Sequence, residues 1–306
     1  AGDHITYDKM TAVKVPDLIA AIVGGTDFSA FFRQITDARF AVTGGHLSKI
    51  YDTYYLVGGQ RFDGRYNPMG PAHGPGFVQA YTDQIRKFNI FDNGNVLTVN
   101  HLSAWTDTDQ LHRRDYNVAP QILPNGQEGL TAFSGVFQPG PAALPFQNIV
   151  EIGHDGHQPV NGFSQFLANY HCAKAPFFIA SENEMHTLFF GGMSQYWLNE
   201  NDSLLLYNRI PFVRTISRVS RLADGSYEEV AFDAELPTFT GTSAEFIVAA
   251  GVPTLPNDII SYDALPYGSN MIGYIAGGIV TPGTQRNPFI VNNLGITSAS
   301  NLLIRV

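Results

Sequence analysis

The rhythm of apolar and polar residues changes near residue 39. Before it, Val15-Pro16-Asp17-Leu18-Ile19-Ala20-Ala21-Ile22-Val23-Gly24-Gly25 carries Pro and Asp where a first helical turn takes them and glycine where a helix stops, which predicts a helix of about two turns. After residue 39 the chain reads at period two, the repeat of a strand whose side chains point alternately to opposite faces. Three hairpins follow from their turns. Lys87-Phe88-Asn89-Ile90 and Val96-Leu97-Thr98-Val99 flank Asp92-Asn93-Gly94-Asn95; residues 119–123 and 129–133 flank Asn125-Gly126; residues 214–219 and 227–232 flank Asp224-Gly225. Asn-Gly and Asp-Gly accept the positive φ angles of tight antiparallel turns.

A longer repeat overlies these hairpins. Thr53-Tyr54-Tyr55-Leu56-Val57-Gly58-Gly59 is echoed by Met185-His186-Thr187-Leu188-Phe189-Phe190-Gly191-Gly192 and by Ile272-Gly273-Tyr274-Ile275-Ala276-Gly277-Gly278. Leu130-Thr131-Ala132-Phe133-Ser134-Gly135-Val136-Phe137 is a degenerate copy. Nearly unbroken apolar strands are expected where both faces of a sheet are covered. The paired glycines would let each strand end tightly against another backbone. Successive copies lie about 55 to 85 residues apart, against roughly 40 to 50 in compact propeller blades, so loops are inserted. Residues 67–76 and 138–145, rich in Gly, Pro and Ala, are the candidates.

An apolar run ending in Gly-Gly, followed by Tyr66 in one copy and by Tyr196-Trp197 in another, with Arg39 and His46 upstream of the first, resembles the kelch repeat. The resemblance implies an all-β, kelch-like β-propeller over residues 39–306, with first strands beginning near His46, Asp115, His171 and Phe246. It is incomplete, since one copy lacks Gly-Gly and two lack the later aromatics. Four copies predict four blades; five result if residues 15–45 supply further strand. Residues 1–306 then form one domain, with residues 1–38 giving the short helix and an outer strand, residues 5–15, that closes the ring beside the apolar C-terminal strand, residues 301–306.

Composition agrees with this class. Of the 306 residues 44% are hydrophobic and only 15% charged, with 22 Phe, 14 Tyr, 30 Gly and 18 Pro, the balance of short strands joined by tight turns. A net charge of −9 repels phosphate backbones, and Arg113-Arg114 is too short to reverse that, so nucleic acid is not an expected partner. The single Cys172 excludes an internal disulfide framework and any multi-cysteine metal site. No apolar run approaches the roughly 18 residues of a transmembrane helix. The start, Ala1-Gly2-Asp3-His4, reads as that of a secreted chain whose leader was removed, or of an excised fragment.

The densest polar cluster is His112-Arg113-Arg114-Asp115, just before an inner strand. An Arg pair there would hold a carboxylate or phosphate in the central funnel, or would tie neighbouring blades together. With His171 these residues are the candidate ligand-binding set. His46, His112 and His171 precede inner strands and, if they converge, make a site for a divalent metal; packing alike in each blade is the plainer reading, and no cofactor is expected. His154 and His157 read as part of an exposed turn, and Cys172 as a buried core residue. Asn201-Asp202-Ser203 matches a glycosylation acceptor. Trp105 and Trp197 suit either carbohydrate stacking or core packing. No nucleophile elbow, phosphate-binding glycine loop, zinc-protease helix or calcium loop occurs.

The functional expectation is therefore a secreted or cell-surface binding module for protein or carbohydrate, its contacts made by loops such as residues 60–76 and 138–161. The alternatives are a funnel-sited enzyme acting on a sugar or sugar acid, with His112, Arg113, Arg114 and His171 as the residues to suspect, and a structural component of a surface assembly.

Overall fold

The computed structural model describes residues 3–65, 76–139, 144–199, 201, 203–281 and 297–306. The expected insertion at residues 67–76 lies almost wholly outside these residues, as do Tyr66, Asp202 and residues 140–143 of the expected insertion at 138–145. Strands account for 50% of the chain and helix for 8%, so the protein is all-β. The chain divides into two compact units, residues 1–47 with 52–111, and residues 48–51 with 112–306.

The first unit opens with β1 (Lys9–Val13), α1 (Val15–Gly24) and β2 (Phe32–Thr36). The helix starts on Pro16 and stops at Gly25, whose φ of 64° lets its amide return to the Ala21 and Ile22 carbonyls. Next come β3 (His46–Ile50), β4 (Thr53–Val57), β5 (Gln60–Gly64), β6 (Phe77–Tyr81), β7 (Gln84–Asp92), β8 (Leu97–His101) and β9 (Trp105–Thr106). β3, β4, β7 and β8 are neighbours in one sheet, with β9 on β7, and β5 pairs with β6. Phe88 is fully buried, edge-on to Phe40 and stacked on Tyr54.

The second unit holds three further sheets of four or more strands and one two-stranded sheet. β10 (Asn117–Ile122), β11 (Glu128–Phe133), β12 (Val150–Ile152) and β13 (His157–Pro159) form one antiparallel meander. Its strand β10 includes Pro120, tolerated because β10 is an edge strand. A second sheet is built on β14 (Ala173–Ile179) and β15 (Glu184–Phe190). The chain leaves it as the small hairpin β16 (Tyr196–Leu198) and β17 (Leu204–Leu206), then returns as β18 (Thr215–Arg221) and β19 (Tyr227–Glu235). The last sheet contains β20 (Phe239–Val248). After it β21 (Thr254–Leu255) and β22 (Ile259–Ser261) cross back to the previous sheet, where β22 lies parallel to β14 with Phe177 opposite Ile260. The chain then resumes the last sheet as β23 (Gly273–Thr281), β24 (Ser298–Ala299) and β25 (Leu303–Arg305).

These four sheets are the blades of a four-bladed β-propeller, blades 2 to 4 lying wholly in the second unit. All three hairpins expected from their turns are present, as β7–β8, β10–β11 and β18–β19. Within the second unit, blades 2 and 3 pack through Ala119, Phe133, Cys172 and Phe189, and blades 3 and 4 through Ala173, Phe190, Ala244 and Ile275.

Each copy of the repeat carries two consecutive residues of positive φ, directly after its strand in the first three copies and within β23 in the last: Gly58-Gly59 at 55° and 81°, Ser134-Gly135 at 48° and 111°, Gly191-Gly192 at 64° and 87°, and Gly277-Gly278 at 73° and 81°. Ser134 keeps the conformation without glycine. Its hydroxyl and carbonyl are both bonded, the hydroxyl to the Phe146 carbonyl and the Asn169 amide, the carbonyl to Arg113.

One expectation is corrected. The N-terminal strand does not close the ring: β1 pairs with β2, Met10 opposite Ile35. The last blade is completed by its own chain, since β25 lies on β23 with Ile304 opposite Ile275 and packs into the cluster shared by blades 3 and 4. The strand of residues 302–306 is itself apolar enough to cover that edge, so no second terminus is required. The first strand of blade 4 also begins earlier than expected, at Phe239 rather than near Phe246.

Candidate functional site

Backbone hydrogen bonds join blades 2, 3 and 4 to one another, just before β10, just before β14 and midway along β20. The His171 amide donates to the Asp115 carbonyl at 2.9 Å, and the Ser243 amide donates to the His171 carbonyl at 2.8 Å. Asp115 and Ser243 hold positive φ angles of 48° and 58° at this junction. The position equivalent to His171 is therefore Asp115, three residues beyond His112, so the three histidines do not occupy matching places.

This junction fixes a mixed charge cluster. Arg114 Nε lies 3.7 Å from the Asp115 carboxylate, and the Arg114 guanidinium sits over the Phe137 ring at 4.4 Å. Across the next step His171 Nε2 is 3.1 Å from Glu245, the first inner-strand carboxylate of blade 4. Lys174, three residues along β14 from His171, feels the same Glu245 charge. Two side chains of the cluster remain open: Asp115 is 49% exposed and Glu245 62%, while Arg114 and His171 sit lower at 13% and 22%.

Burial pushes the Asp115 carboxyl above the usual carboxylate range, with the positive charges of Arg114 and His171 opposing it. Burial pushes Glu245 the same way, but the His171 hydrogen bond and Lys174 outweigh it and hold Glu245 low. Burial also lowers the Lys174 ammonium, which Glu245 partly restores. The cluster offers two carboxylates backed by fixed donors, an arrangement that can accept hydrogen bonds from hydroxyls or an ammonium group.

The four consecutive polar residues at 112–115 separate. Arg113 is 1% exposed and turns into the protein, donating to the Ser134 carbonyl, to the Asn148 carbonyl at 3.0 Å and to Asn148 Oδ1 at 2.8 Å, with its guanidinium over Phe146 at 4.1 Å. It ties strands of blade 2 together. Arg114 and Asp115 belong to the cluster with His171, and His112 is half-buried beside them in sequence. His46 opens β3. Among the described residues no group of three or more His, Cys, Asp or Glu side chains is placed to hold a metal ion.

Other candidates have local duties. Cys172 is fully buried and its thiol is pushed up to about 11, chiefly by burial, so it carries no thiolate at neutral pH. His154 and Asp155 sit in an exposed turn closed by the Gly153 amide on the Gly156 carbonyl. Trp105 lies under the Lys87 ammonium, 3.7 Å from the ring centre.

Lys174 and Glu245 were not singled out in the sequence. The one signal was their position: charged residues inside otherwise small and apolar inner strands, Cys172-Ala173-Lys174-Ala175 and Ala244-Glu245-Phe246. No protein-family model matches the chain, and no curated protein is similar to it.

Proposed function

We propose that the chain is a binding module built on a β-propeller, with the Arg114–Asp115 and His171–Glu245 cluster as its ligand contact and a secreted or cell-surface location. The supporting observation is that two accessible carboxylates of different blades, Asp115 just before β10 and Glu245 on β20, stand beside the backbone junction that joins those blades. Sites on rigid strands keep their geometry, and propellers commonly serve binding. We assign the blades to the kelch type on the two consecutive residues of positive φ that recur in all four copies of the repeated strand.

A glycan array and a panel of extracellular-matrix proteins, probed with the wild type and with Glu245→Gln and Asp115→Asn, test the reading. Binding should fall at least about tenfold in the variants, the value of one charge-assisted hydrogen bond, with the melting temperature nearly unchanged. Ligand binding that survives both substitutions removes the cluster from the site.

A second reading, an enzyme acting on a sugar or sugar acid, is favoured by one observation. The Asp115 carboxyl, raised by burial against the charges of Arg114 and His171, lies near an imidazole, the pairing of a general acid with a neighbouring base. Turnover lost in Asp115→Asn while ligand binding persists would establish it.

A further inference from the structure

We propose that a second cleft, between the β16–β17 hairpin and the outer edge of blade 3, is a saccharide-binding site. It encloses about 430 Å³, within the roughly 300–1,000 Å³ of small-ligand sites. It is far along the sheet from the inner strand β14, at the opposite edge formed by β19.

A break in strand register makes this cleft. Thr215 stands opposite Glu235 and Ser217 opposite Ala231, so four steps along β19 face only two along β18. The surplus residues bulge outward, and the bulge cancels the usual alternation, so that the consecutive residues Phe232 and Asp233 both line the cleft. Opposite them stands Trp197 on β16, half-buried. Arg214 is bonded to Glu235 and lies over the Phe239 ring, 5.7 Å from its centre. Asp233 is exposed and makes no ion pair among the described residues.

The chemistry of these groups matches a sugar ring. A pyranose offers an apolar C–H face and a rim of hydroxyls that both donate and accept. An aromatic face at Trp197 or Phe232 takes the first. The Asp233 carboxylate accepts from the rim, and the Arg214 guanidinium and the Trp197 indole N–H donate to it. A lysine-bearing peptide is the rival occupant, since Asp233 and an indole also suit an ammonium group. The geometry disfavours it: the bulge breaks the free edge of β19 on which a peptide would add as a strand.

The site stands apart from the axial cluster, and one experiment separates them. Trp105→Phe leaves Trp197 as the only indole, and its fluorescence is followed in the full chain during titration with cellobiose, maltose, lactose and N,N′-diacetylchitobiose, and with a lysine-rich peptide. A saturable spectral shift with at least one disaccharide is expected, weakened at least about tenfold by Asp233→Asn and unaffected by Glu245→Gln. The circular dichroism of Asp233→Asn should match the parent. No shift with any disaccharide at millimolar concentration overturns the proposal, as does a shift with the peptide alone. A disaccharide response lost in Glu245→Gln but kept in Asp233→Asn also overturns it and credits the axial cluster instead.

Discussion

Asn117 and Cys172 bind each other from both ends: the Cys172 amide donates to Asn117 Oδ1 at 3.0 Å, and Asn117 Nδ2 approaches Cys172 Sγ at 3.7 Å. Asn117 begins β10 of blade 2, and Cys172 immediately precedes β14 of blade 3, so one side chain couples two blades. The same Nδ2 also donates to the Tyr170 carbonyl at 2.8 Å. Asn117 is fully buried, and its partners have no water to replace it.

Asn117→Ala should therefore cost about 2–3 kcal/mol, because it strands a buried amide and a buried carbonyl at once. Urea denaturation of the two proteins measures it. A loss below about 0.5 kcal/mol, the level of an ordinary surface change, would contradict the role.

The Gly-Gly ends of the strands separate two kinds of strain. A Cβ on Gly192 would stand 2.9 Å from the Cys172 Cβ, on a backbone with φ of 87°. Gly225 has a similar φ of 84° but open space around it. Gly225→Ala should cost about 1–3 kcal/mol from conformation alone. Gly192→Ala should cost more, since the contact is added. Equal losses in thermal melts would show that the contact relaxes freely.

The last blade should depend on its own final strand. Ile304 packs with Ile275 and Phe190, whereas Met10 belongs to the two-stranded β1–β2 ribbon. Ile304→Asp should lower the melting temperature of the second unit markedly, by placing a charge in that cluster. Met10→Asp should leave that transition in place. The reverse order of effects would restore the N-terminal strand as the closing element.

How far the residues announced this fold differs from strand to strand. Turn residues announce local structure because the φ angle they require is a property of the residue itself; Asn125-Gly126 and Asp224-Gly225 therefore located their hairpins. The partner of β25 was hidden, because an apolar strand looks the same whichever sheet edge it covers. Lys174 and Glu245 were hidden for a related reason. They meet only through the junction of blades 3 and 4, and no spacing within the sequence encodes which residues of separate blades share a register. Arg113 and Arg114 are adjacent in sequence, yet only the structure shows that one is interior and the other lines the cluster.

Glu229 gives a pH prediction with a defined sign. It accepts from the Phe166 amide at 2.7 Å and the Leu167 amide at 3.1 Å, and its carboxyl is pushed up to about 8, mainly by burial, against those two bonds. The ordinary value is 4.5. The folded state thus binds a proton that the unfolded chain releases, and stability contributed below pH 4.5 is lost as pH rises toward about 8. Glu229→Gln keeps an acceptor without the titration. Relative to the wild type, this variant should gain stability between pH 5 and pH 8, seen as a melting-temperature difference that grows with pH. A difference independent of pH would mean that Glu229 is ionised throughout.

The crossing of β22 into blade 3 bears on how the protein comes apart. Arrays of repeats that touch only through their faces can shed one end and keep the rest. Here the excursion between β20 and β23 is laced by backbone bonds into the neighbouring sheet, with Phe178 opposite Ser261. Blade 4 cannot peel away without tearing the rim of β14, and β14 cannot open without freeing blade 4. Amides of the two sheets should consequently exchange with solvent through a single shared opening, one foldon in place of two.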